Sequence, residues 1–402
     1  MNSYLPNFKR FLISFALLFP FYFSAQNVYE WYQDGVVIFQ LKTSSFVQIK
    51  SKDKNVDFKN TTLLNQFSDK YQINKVTQLF PRHQNELLAN TFQIEFDKIL
   101  EVEDFIAELG DIPSVEYAEK KELHVSFLTP NDQYFNNSTN NGQWGLFQIN
   151  APQAWDLSTG LASVVVAVTD NAININHPDL VNKCVQGYDA VDNDNDPTGC
   201  GSNTGFHGSH VSGIVGAETN NGSGVASIGF DVSIMPIKIG NCNGSLTAGY
   251  EGIVWAADNG AEVVNMSWGG GGQSNYGQNV CTYAWNAGTI PVAAAGNDGV
   301  NSVFYPAGYN NVISVASSTV GDAKSSFSNY GSWIDITAPG SSILSCNSGS
   351  GYQVTQGTSM ASPNVAGSLI LLQEYYFKTT GEIPLSSTIK ALVFNGAKDA
   401  GD

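Results

Sequence analysis

The chain has 402 residues, a globular composition and a strong negative charge. Hydrophobic residues make up 42% of it and charged residues only 14%, so it can form a large core and a second, smaller domain. The net charge of −17 argues against nucleic acid and anionic membrane surfaces as partners.

The charge is unevenly divided along the chain. Residues 1–125 carry 16 acidic and 13 basic residues, whereas residues 126–402 carry 20 acidic residues and six lysines. This division predicts two folding units with complementary surfaces. An acidic surface that only keeps an exported protein soluble would explain the second part equally well.

The N-terminus has the pattern of a secretory signal peptide. Lys9 and Arg10 precede the apolar run FLISFALLFPFYF, and small residues follow it. The run contains Pro20 and is shorter than the roughly 20 apolar residues of a membrane-spanning helix. We therefore expect a signal peptide at residues 1–25, a secreted protein, and no membrane association once the signal is removed.

The next segment, residues 26–125, predicts a small α+β domain. Residues 34–49 have the alternation or apolar runs of strands, and the stretch from about residue 90 predicts a strand, a helix and a second strand. The polar, asparagine-rich segment 129–143 then predicts a linker or a surface arm.

From residue 150 onward, short runs rich in valine and isoleucine alternate with helical stretches. Continuous apolar strands between helices are typical of a parallel sheet covered on both faces. Ligands of such sheets bind beyond the carboxyl ends of the strands, which is where Asp170, Ser267 and Asn297 end three of the runs. The sequence therefore predicts an α/β domain whose functional groups share one edge of the sheet.

Four polar residues of this domain fit the needs of nucleophilic catalysis, although each alone has an ordinary structural explanation, such as a helix cap or a turn. His207 and Ser359 stand at predicted helix starts, and Asp170 ends a strand. A serine hydroxyl becomes an effective nucleophile when an imidazole removes its proton, and the imidazole needs a carboxylate to hold its tautomer. Asn297 and the N–H groups of a helix N-terminus can bind the oxyanion that develops.

Four blocks in chain order, HGSHVSGI, NMSWG, AAAGN and GTSMASPNVAG, resemble the subtilisin-like serine proteases. The resemblance extends from about residue 129 to residue 397. It implies a three-layer α/β fold with a mostly parallel central sheet over residues 126–402, and a serine endopeptidase that hydrolyses polypeptides. It also implies Ser359 as nucleophile, His207 as general base and then acid, Asp170 as orienting carboxylate, and Asn297 with the Ser359 N–H as oxyanion hole.

Two further segments, 267–270 and 293–296, resemble the strand and pocket wall along which a peptide substrate binds as an added β-strand. The substrate-binding residues implied by this resemblance are Ser267, Trp268, Gly269 and Gly296. On this basis we expect a broad endopeptidase that favours large apolar side chains.

One departure from the family pattern follows Asp170. Asn171 and Ala172 stand where the family usually has threonine or serine and then glycine. This departure leaves a second hypothesis open, namely an inactive subtilisin-like scaffold that acts as a secreted calcium-binding or adhesive protein. Reaction with a serine-directed fluorophosphonate distinguishes the two hypotheses.

The second histidine of the HGSHVSGI block, His210, is expected to be a packed structural residue. A zinc site formed by His207 and His210 would lack the glutamate of the metalloprotease motif and an obvious third ligand.

Acidic residues predict one or two structural calcium sites, with solvated acidic turns as the alternative. One loop packs four carboxylates into eight residues, which repel one another unless a hard cation binds them: Asp189, Asp192, Asp194 and Asp196. The loop also resembles a calcium loop of some thermostable family members. A second site is implied for Asp132, Asp179 and Asn221, with carbonyl oxygens of Ser223 and Val225.

Residues 26–125 resemble the propeptides that chaperone and inhibit these proteases. This resemblance implies an intramolecular inhibitor, self-cleavage near residues 122–130 and a mature enzyme, which we expect to be a monomer. The family normally continues beyond the position of residue 402, so we expect either a truncated catalytic domain or the absence of a following sorting domain.

Five cysteines in an exported protein predict two disulfides and one free thiol. The pairings that we expect are Cys184–Cys200 and Cys242–Cys281, with five buried and reduced cysteines as the alternative.

Overall fold

The computed structural model describes residues 32–42, 55–57, 61–97, 101–122, 128–199 and 206–399. The chain divides into two units, residues 1–125 and 126–402. The expected signal peptide and the expected cleavage segment around residue 125 lie largely outside the described residues. No described helix is long and apolar enough to cross a membrane.

The first unit contains an antiparallel sheet with helices packed on it. Its elements are β1 (Tyr32–Leu41), α1 (Thr62–Tyr71), β2 (Ile73–Gln78), α2 (Glu86–Ala89), β3 (Thr91–Phe96), α3 (Val102–Gly110) and β4 (Val115–Glu122). The strand order is β2-β3-β1-β4. Because alternate strand residues point to one face, they form a core with Phe105 and Leu109 of α3 and Leu64 of α1.

The second unit is built around a larger, parallel sheet. Its elements are α4 (Trp144–Gln148), α5 (Ala151–Trp155), β5 (Val165–Asp170), β6 (Tyr188–Asp189), α6 (Phe206–Gly216), β7 (Ser233–Lys238), α7 (Gly249–Asp258), β8 (Val263–Met266), α8 (Asn275–Ala287), β9 (Ile290–Ala294), β10 (Ile313–Ser318), β11 (Ile336–Pro339), β12 (Ile343–Cys346), β13 (Tyr352–Thr355), α9 (Thr358–Thr380) and α10 (Ser386–Gly396). Seven strands pair in parallel in the order β11-β10-β9-β8-β5-β7-β6. Strands β12 and β13 form a separate antiparallel hairpin.

Helices cover both faces of the parallel sheet, which confirms the predicted three-layer α/β fold. Along β5, Val166 and Val168 belong to one core and Ala167 to the other, because successive strand residues point to opposite faces. The first core includes residues of α6 and α9, and the second includes residues of α7 and α8. The polar residues that follow β5, β8 and β9 therefore lie at one edge of the sheet.

The asparagine-rich segment 129–143 is not a free linker. Asp132 within it is buried. Gln143 exchanges two hydrogen bonds with Ala226, since its Nε2 donates to the carbonyl (2.6 Å) and its Oε1 accepts from the N–H (2.8 Å). The polar composition of the segment gave no sign of these buried contacts, which hold it on the second unit.

Both predicted disulfide pairings are wrong. Cys184 and Cys281 have free thiols, as does Cys346, whereas Cys242 is disulfide-bonded. Spacing along the chain does not reveal which cysteines can approach in space. Burial raises the pKa of the Cys184 and Cys281 thiols to about 12, so neither forms the thiolate readily.

Candidate active site

Asp170 and His207 meet where the end of β5 contacts the start of α6. His207 Nδ1 lies 2.9 Å from each carboxylate oxygen of Asp170, which is only 2% exposed. Helix α6 approaches this closely because Gly208 has no side chain: a Cβ there would lie 2.2 Å from the carbonyl oxygen of Ala172. An N–H at Nδ1 that donates to the carboxylate leaves the lone pair of the imidazole at Nε2.

The carboxylate also sets the basicity of the imidazole. Burial lowers the pKa of His207, but the charge of Asp170 and its hydrogen bond raise that pKa by more, so the net pKa lies above its ordinary value. His207 therefore holds a proton more firmly than an isolated histidine, which is the property required of a general base.

The departure at Asn171 and Ala172 does not disturb this pair. The Asn171 N–H donates to Asp170 Oδ1 (2.8 Å), and the Asn171 side chain accepts from the Ala172 N–H (2.8 Å). Ala172 is buried with 1% of its surface exposed. The two residues thus form a local hydrogen-bonded turn that orients the carboxylate.

Ser359 lies in the first turn of α9, beside the neighbouring strand end. Its hydroxyl donates to the Ser267 carbonyl (3.1 Å), and the Ser267 hydroxyl donates to the Ser359 carbonyl (2.8 Å). That carbonyl lacks a helical partner because Pro363, four residues later, has no N–H. Ser267 directly follows β8, which pairs in parallel with β5, so Ser359 and Asp170 lie at adjacent strand ends.

The Ser359 hydroxyl is bonded to Ser267 and, within the described residues, not to the His207 ring. Catalytic hydrogen bonds are often long or absent until substrate binds. Proton transfer to His207 would require the hydroxyl to leave the Ser267 carbonyl and turn toward Nε2.

Asn297 lies beyond the end of β9 and contacts the same turn of α9. Its Oδ1 accepts from the N–H (2.8 Å) and the hydroxyl (3.0 Å) of Thr358, so the carbonyl end of the amide is held and Nδ2 remains as a donor. A Cβ built on Gly357 would lie 3.5 Å from Asn297 Nδ2 and 3.6 Å from Ser359 N. Both donors therefore border one small space that glycine leaves open, as an oxyanion hole requires. Sequence reasoning missed Thr358, although it directly precedes Ser359 in the motif.

The expected substrate strand begins with Ser267 and continues through Trp268. The Trp268 side chain packs toward α7, since its Nε1 donates to Thr169 Oγ1 (2.9 Å) and its ring lies edge-on to Tyr250 with centroids 5.9 Å apart. Its backbone, rather than its indole ring, is thus available to a peptide.

The expected substrate strand and the expected pocket wall each touch a residue further along the chain. A Cβ on Gly269 would lie 2.8 Å from the Tyr305 carbonyl oxygen, and one on Gly296 would lie 2.7 Å from the Phe304 ring. Phe304 carried no recognisable sequence signal, because its contact with Gly296 depends on the fold.

His210 is a packed residue, as expected. It is fully buried, and its Nε2 donates to the Gln353 carbonyl (2.9 Å). Burial lowers the pKa of His210 to about 4, so the ring is neutral at physiological pH.

The acidic loop that begins at the end of β6 is partly neutralised by a lysine of the neighbouring strand β7. The ammonium group of Lys238 binds Asp189, and it lies 3.3 Å from Asp192 Oδ2. Burial lowers the pKa of Lys238, but these two carboxylates raise it by more. Asp194 and Asp196 instead accept hydrogen bonds from N–H groups of the following turn. The four carboxylates do not converge, so their mutual repulsion no longer argues for a metal, and calcium at this loop stays a prediction.

The second acidic group brings together the side chains of Asp132, Asp179 and Asn221. Asp132 and Asp179 are 5% and 0% exposed, and Asn221 Nδ2 donates to Asp179 Oδ1 (3.1 Å). Burial raises the pKa of Asp132, and the charge of Asp179 raises it further. The Val225 N–H, rather than its carbonyl, contacts Asp179 (3.0 Å). Among the described residues, no group of three or more histidine, cysteine, aspartate or glutamate side chains is arranged to hold a metal ion.

Comparison with known proteins decides the family. The profile of the subtilase family matches residues 162–402. The chain is a subtilase. A thermophilic serine proteinase of Bacillus sp. is 42% identical over 277 residues, which cover 68% of this subtilase and 67% of the relative. Thermitase of Thermoactinomyces vulgaris is 45% identical over 241 residues, or 60% of this subtilase and 83% of thermitase.

Solved structures agree with this assignment. A protease from Pseudoalteromonas arctica matches with a TM-score of 0.61 at 34% identity, covering 67% of this subtilase and 93% of that chain. The subtilase is accordingly a serine-type endopeptidase with the subtilisin-like fold, as the sequence resemblance predicted.

Proposed function

We propose that the protein is a secreted endopeptidase in which Ser359 is the nucleophile, His207 the general base and acid, and Asp170 the orienting carboxylate. The observation that carries the proposal is the Asp170–His207 pair, bonded at 2.9 Å at the sheet edge where Ser359 also lies. Secretion is supported by the signal-like pattern of residues 1–25.

Acylation begins when His207 Nε2 takes the proton of the Ser359 hydroxyl while Oγ bonds to the carbonyl carbon of the scissile peptide. The carbonyl electron pair moves to oxygen, and Asn297 Nδ2 and the Ser359 N–H bind this oxyanion. Asp170 stabilises the imidazolium that forms. The imidazolium then gives its proton to the amine nitrogen, the C–N bond breaks, and an acyl ester remains on Ser359.

Deacylation repeats these steps with water. His207 removes a proton from water as the oxygen attacks the ester carbon, and the same two donors bind the second oxyanion. The imidazolium returns its proton to Ser359 Oγ when the ester bond breaks, which releases the carboxylic acid product and restores the enzyme.

Hydrolysis of casein by purified protein tests this proposal. The wild type should cleave casein, and Ser359→Ala should abolish cleavage. Ser368→Ala is a matched control on the same helix, because the Ser368 hydroxyl only bonds to the Asn364 carbonyl (2.8 Å), and it should retain activity. Equal activity of Ser359→Ala and wild type would refute Ser359 as nucleophile.

We also propose that residues 26–125 are a propeptide that inhibits the enzyme until self-cleavage near residues 122–130. The first unit has a core of its own, as an independently folding segment requires. The basic residues are concentrated in the first unit, which has 13 of them, whereas the second unit has six lysines against 20 acidic residues. Individual lysines of the first unit can therefore pair with carboxylates of the second.

Calcium is proposed as a structural cofactor held by Asp132, Asp179 and Asn221. Two buried carboxylates lie near each other there, and no lysine or arginine of the described residues forms an ion pair with either. The two carboxylates supply oxygen ligands, which suit a hard cation. The Asn221 side chain, whose Oδ1 accepts from the Ser223 N–H (2.8 Å), would have to turn its oxygen toward the ion. When bound, the ion would offset the repulsion between the carboxylates and fasten residue 132 to the loop around residue 221.

A further inference from the structure

A protease with the proposed function, on which this inference rests, needs a pocket for the substrate side chain that precedes the scissile bond. The expected substrate segments 267–270 and 293–296 flank the candidate catalytic groups, because Ser267 bonds to Ser359 and Gly296 directly precedes Asn297. The side chain is therefore placed between these segments. The first segment follows β8, and the second contains the last two residues of β9. Because β8 and β9 are adjacent and parallel, both segments end at the same edge of the sheet. What lies between them decides how large a side chain can enter.

Tyr305 is fastened to the first of these segments. Its N–H donates to the Gly270 carbonyl (2.7 Å), and its carbonyl accepts from the Gly270 N–H (2.9 Å). The pair forms an antiparallel bridge. The residue before it, Phe304, is therefore held close to this wall.

The ring of Phe304 reaches the other wall. A Cβ on Gly296 would lie 2.7 Å from Phe304 Cδ2 and 3.1 Å from Cε2, so the ring lies against the backbone of Gly296. Gly296 cannot easily shift, because its N–H donates to Thr358 Oγ1 (3.1 Å) and its carbonyl accepts from the Asn329 N–H (3.0 Å). The backbone of Phe304 is held as well, since its carbonyl accepts from the Gly308 N–H (2.7 Å).

We propose that Phe304 is the specificity-determining residue of this protease and that its ring closes the pocket to all but small side chains such as alanine. Hydrogen bonds hold the backbone of Gly270 and of Gly296, and the Phe304 ring lies against Gly296. A large apolar substrate side chain would have to displace the Phe304 ring from Gly296. The contact thus favours the opposite of the preference for large apolar side chains expected from the resemblance.

The test compares p-nitroanilide peptides that differ only in having alanine, leucine or phenylalanine before the scissile bond. For the wild type, kcat/KM should be at least about tenfold higher with alanine than with phenylalanine, since steric mismatch in such pockets changes rates by 10-fold to 200-fold. Phe304→Gly and Phe304→Ala should raise the phenylalanine-to-alanine ratio at least about tenfold. Phe304→Leu leaves less empty space than the glycine and alanine variants do. It should therefore raise the phenylalanine-to-alanine ratio by a smaller factor.

Val303→Ala is the matched control, because Val303 is the preceding residue and is 37% exposed. It should leave the ratio unchanged. Thermal unfolding of each variant identifies those that fold. A wild type that cleaves the phenylalanine peptide as fast as the alanine peptide would overturn the proposal, as would an unaltered ratio in the folded Phe304 variants.

Fluorophosphonate labelling separates failure of this inference from failure of the proposed function. If Ser359 is labelled and the ratio does not respond to Phe304, only the pocket assignment is wrong. If no peptide is cleaved and Ser359 is not labelled, the proposed function fails and the pocket assignment fails with it.

Discussion

Ser267 and Ser359 exchange two hydrogen bonds in opposite directions, and so join the end of β8 to the first turn of α9. The bond from the Ser267 hydroxyl replaces the helical bond that Pro363 cannot make. The nucleophile is therefore positioned by the neighbouring strand as well as by its own helix.

Ser267→Ala should destabilise the protein because it leaves the Ser359 carbonyl without its donor and Asn265 Nδ2 without its acceptor. An unsatisfied buried group costs about 1–3 kcal/mol, which urea unfolding can measure. Ser233→Ala is the control, since the Ser233 hydroxyl bonds to Ala162 at the surface. Equal unfolding free energies for the two variants would show that the Ser267 hydroxyl does not hold α9.

Asp170→Asn should shift the acid limb of the pH–kcat/KM profile to lower pH. His207 must be neutral to accept a proton, so activity is lost as the pH falls through its pKa. Asp170 raises this pKa, and the wild-type limb should therefore lie above the ordinary value of about 6.5. Without the carboxylate charge the pKa falls, and kcat should drop about 10⁴-fold.

The exposed Asp231 provides the control for this pH measurement. Asp231→Asn should leave both the limb and kcat as they are in the wild type. In Asp170→Asn the acid limb could stay in place or move to higher pH. Either result would contradict the assignment of His207 as the general base whose pKa Asp170 raises.

Asn297→Ala should lower kcat about 10²–10³-fold with little change in KM, the range known for the oxyanion asparagine of subtilisin itself. Thr358→Ala should lower kcat by about tenfold, because Asn297 loses one of its two donors, and Thr358→Ser should restore kcat. In the double variant, Thr358→Ala should add nothing to the loss from Asn297→Ala. Independent, additive losses would mean that Thr358 does not act through Asn297.

Calcium should raise the unfolding midpoint of the mature enzyme, and a chelator should lower it, because a ligand that binds only the native state stabilises it. Saturation at a hundred times Kd corresponds to about 2.7 kcal/mol, or roughly 5–10 °C for a unit of this size. Asp179→Asn should abolish this response of the unfolding midpoint to calcium. The same measurement on Asp194→Asn tests the calcium prediction for the loop that contains Asp189, Asp192, Asp194 and Asp196. Identical midpoints with calcium and with chelator would defeat both calcium predictions.

Processing gives a separate test of the propeptide. Ser359→Ala should accumulate as a precursor that retains residues 26–125, because no nucleophile is present to cut near residues 122–130. Ser368→Ala should mature as the wild type does, with intact mass as the readout. Normal maturation of Ser359→Ala would mean that another protease performs the cleavage.

Patterns that depend on local sequence were predicted well. The runs that contain Val166 and Val292 form β5 and β9, and the strand, helix and strand expected from about residue 90 form β3, α3 and β4. Asp170 and His207 meet because strand ends and helix starts place side chains at one sheet edge, while their catalytic roles stay a prediction. The contact between Gly208 and Ala172, by contrast, is seen only in the structure.

Features that depend on which distant residues meet were not predictable. Lys238 neutralises part of the acidic loop from another strand, and nothing near Asp189 in sequence indicates it. Trp268 turns its indole toward α7. Cys281 is buried in a helix rather than paired. In each case packing between elements, rather than local pattern, decides the environment.

The proposed catalysis depends most on the activation of Ser359 by His207. The most direct measurement is mass spectrometric mapping of the wild type and His207→Ala after reaction with a fluorophosphonate. We predict one adduct on the peptide that contains Ser359 in the wild type, and at least about 10³-fold slower labelling in His207→Ala. An unlabelled wild type, or an adduct at another residue, would contradict the account and favour an inactive scaffold.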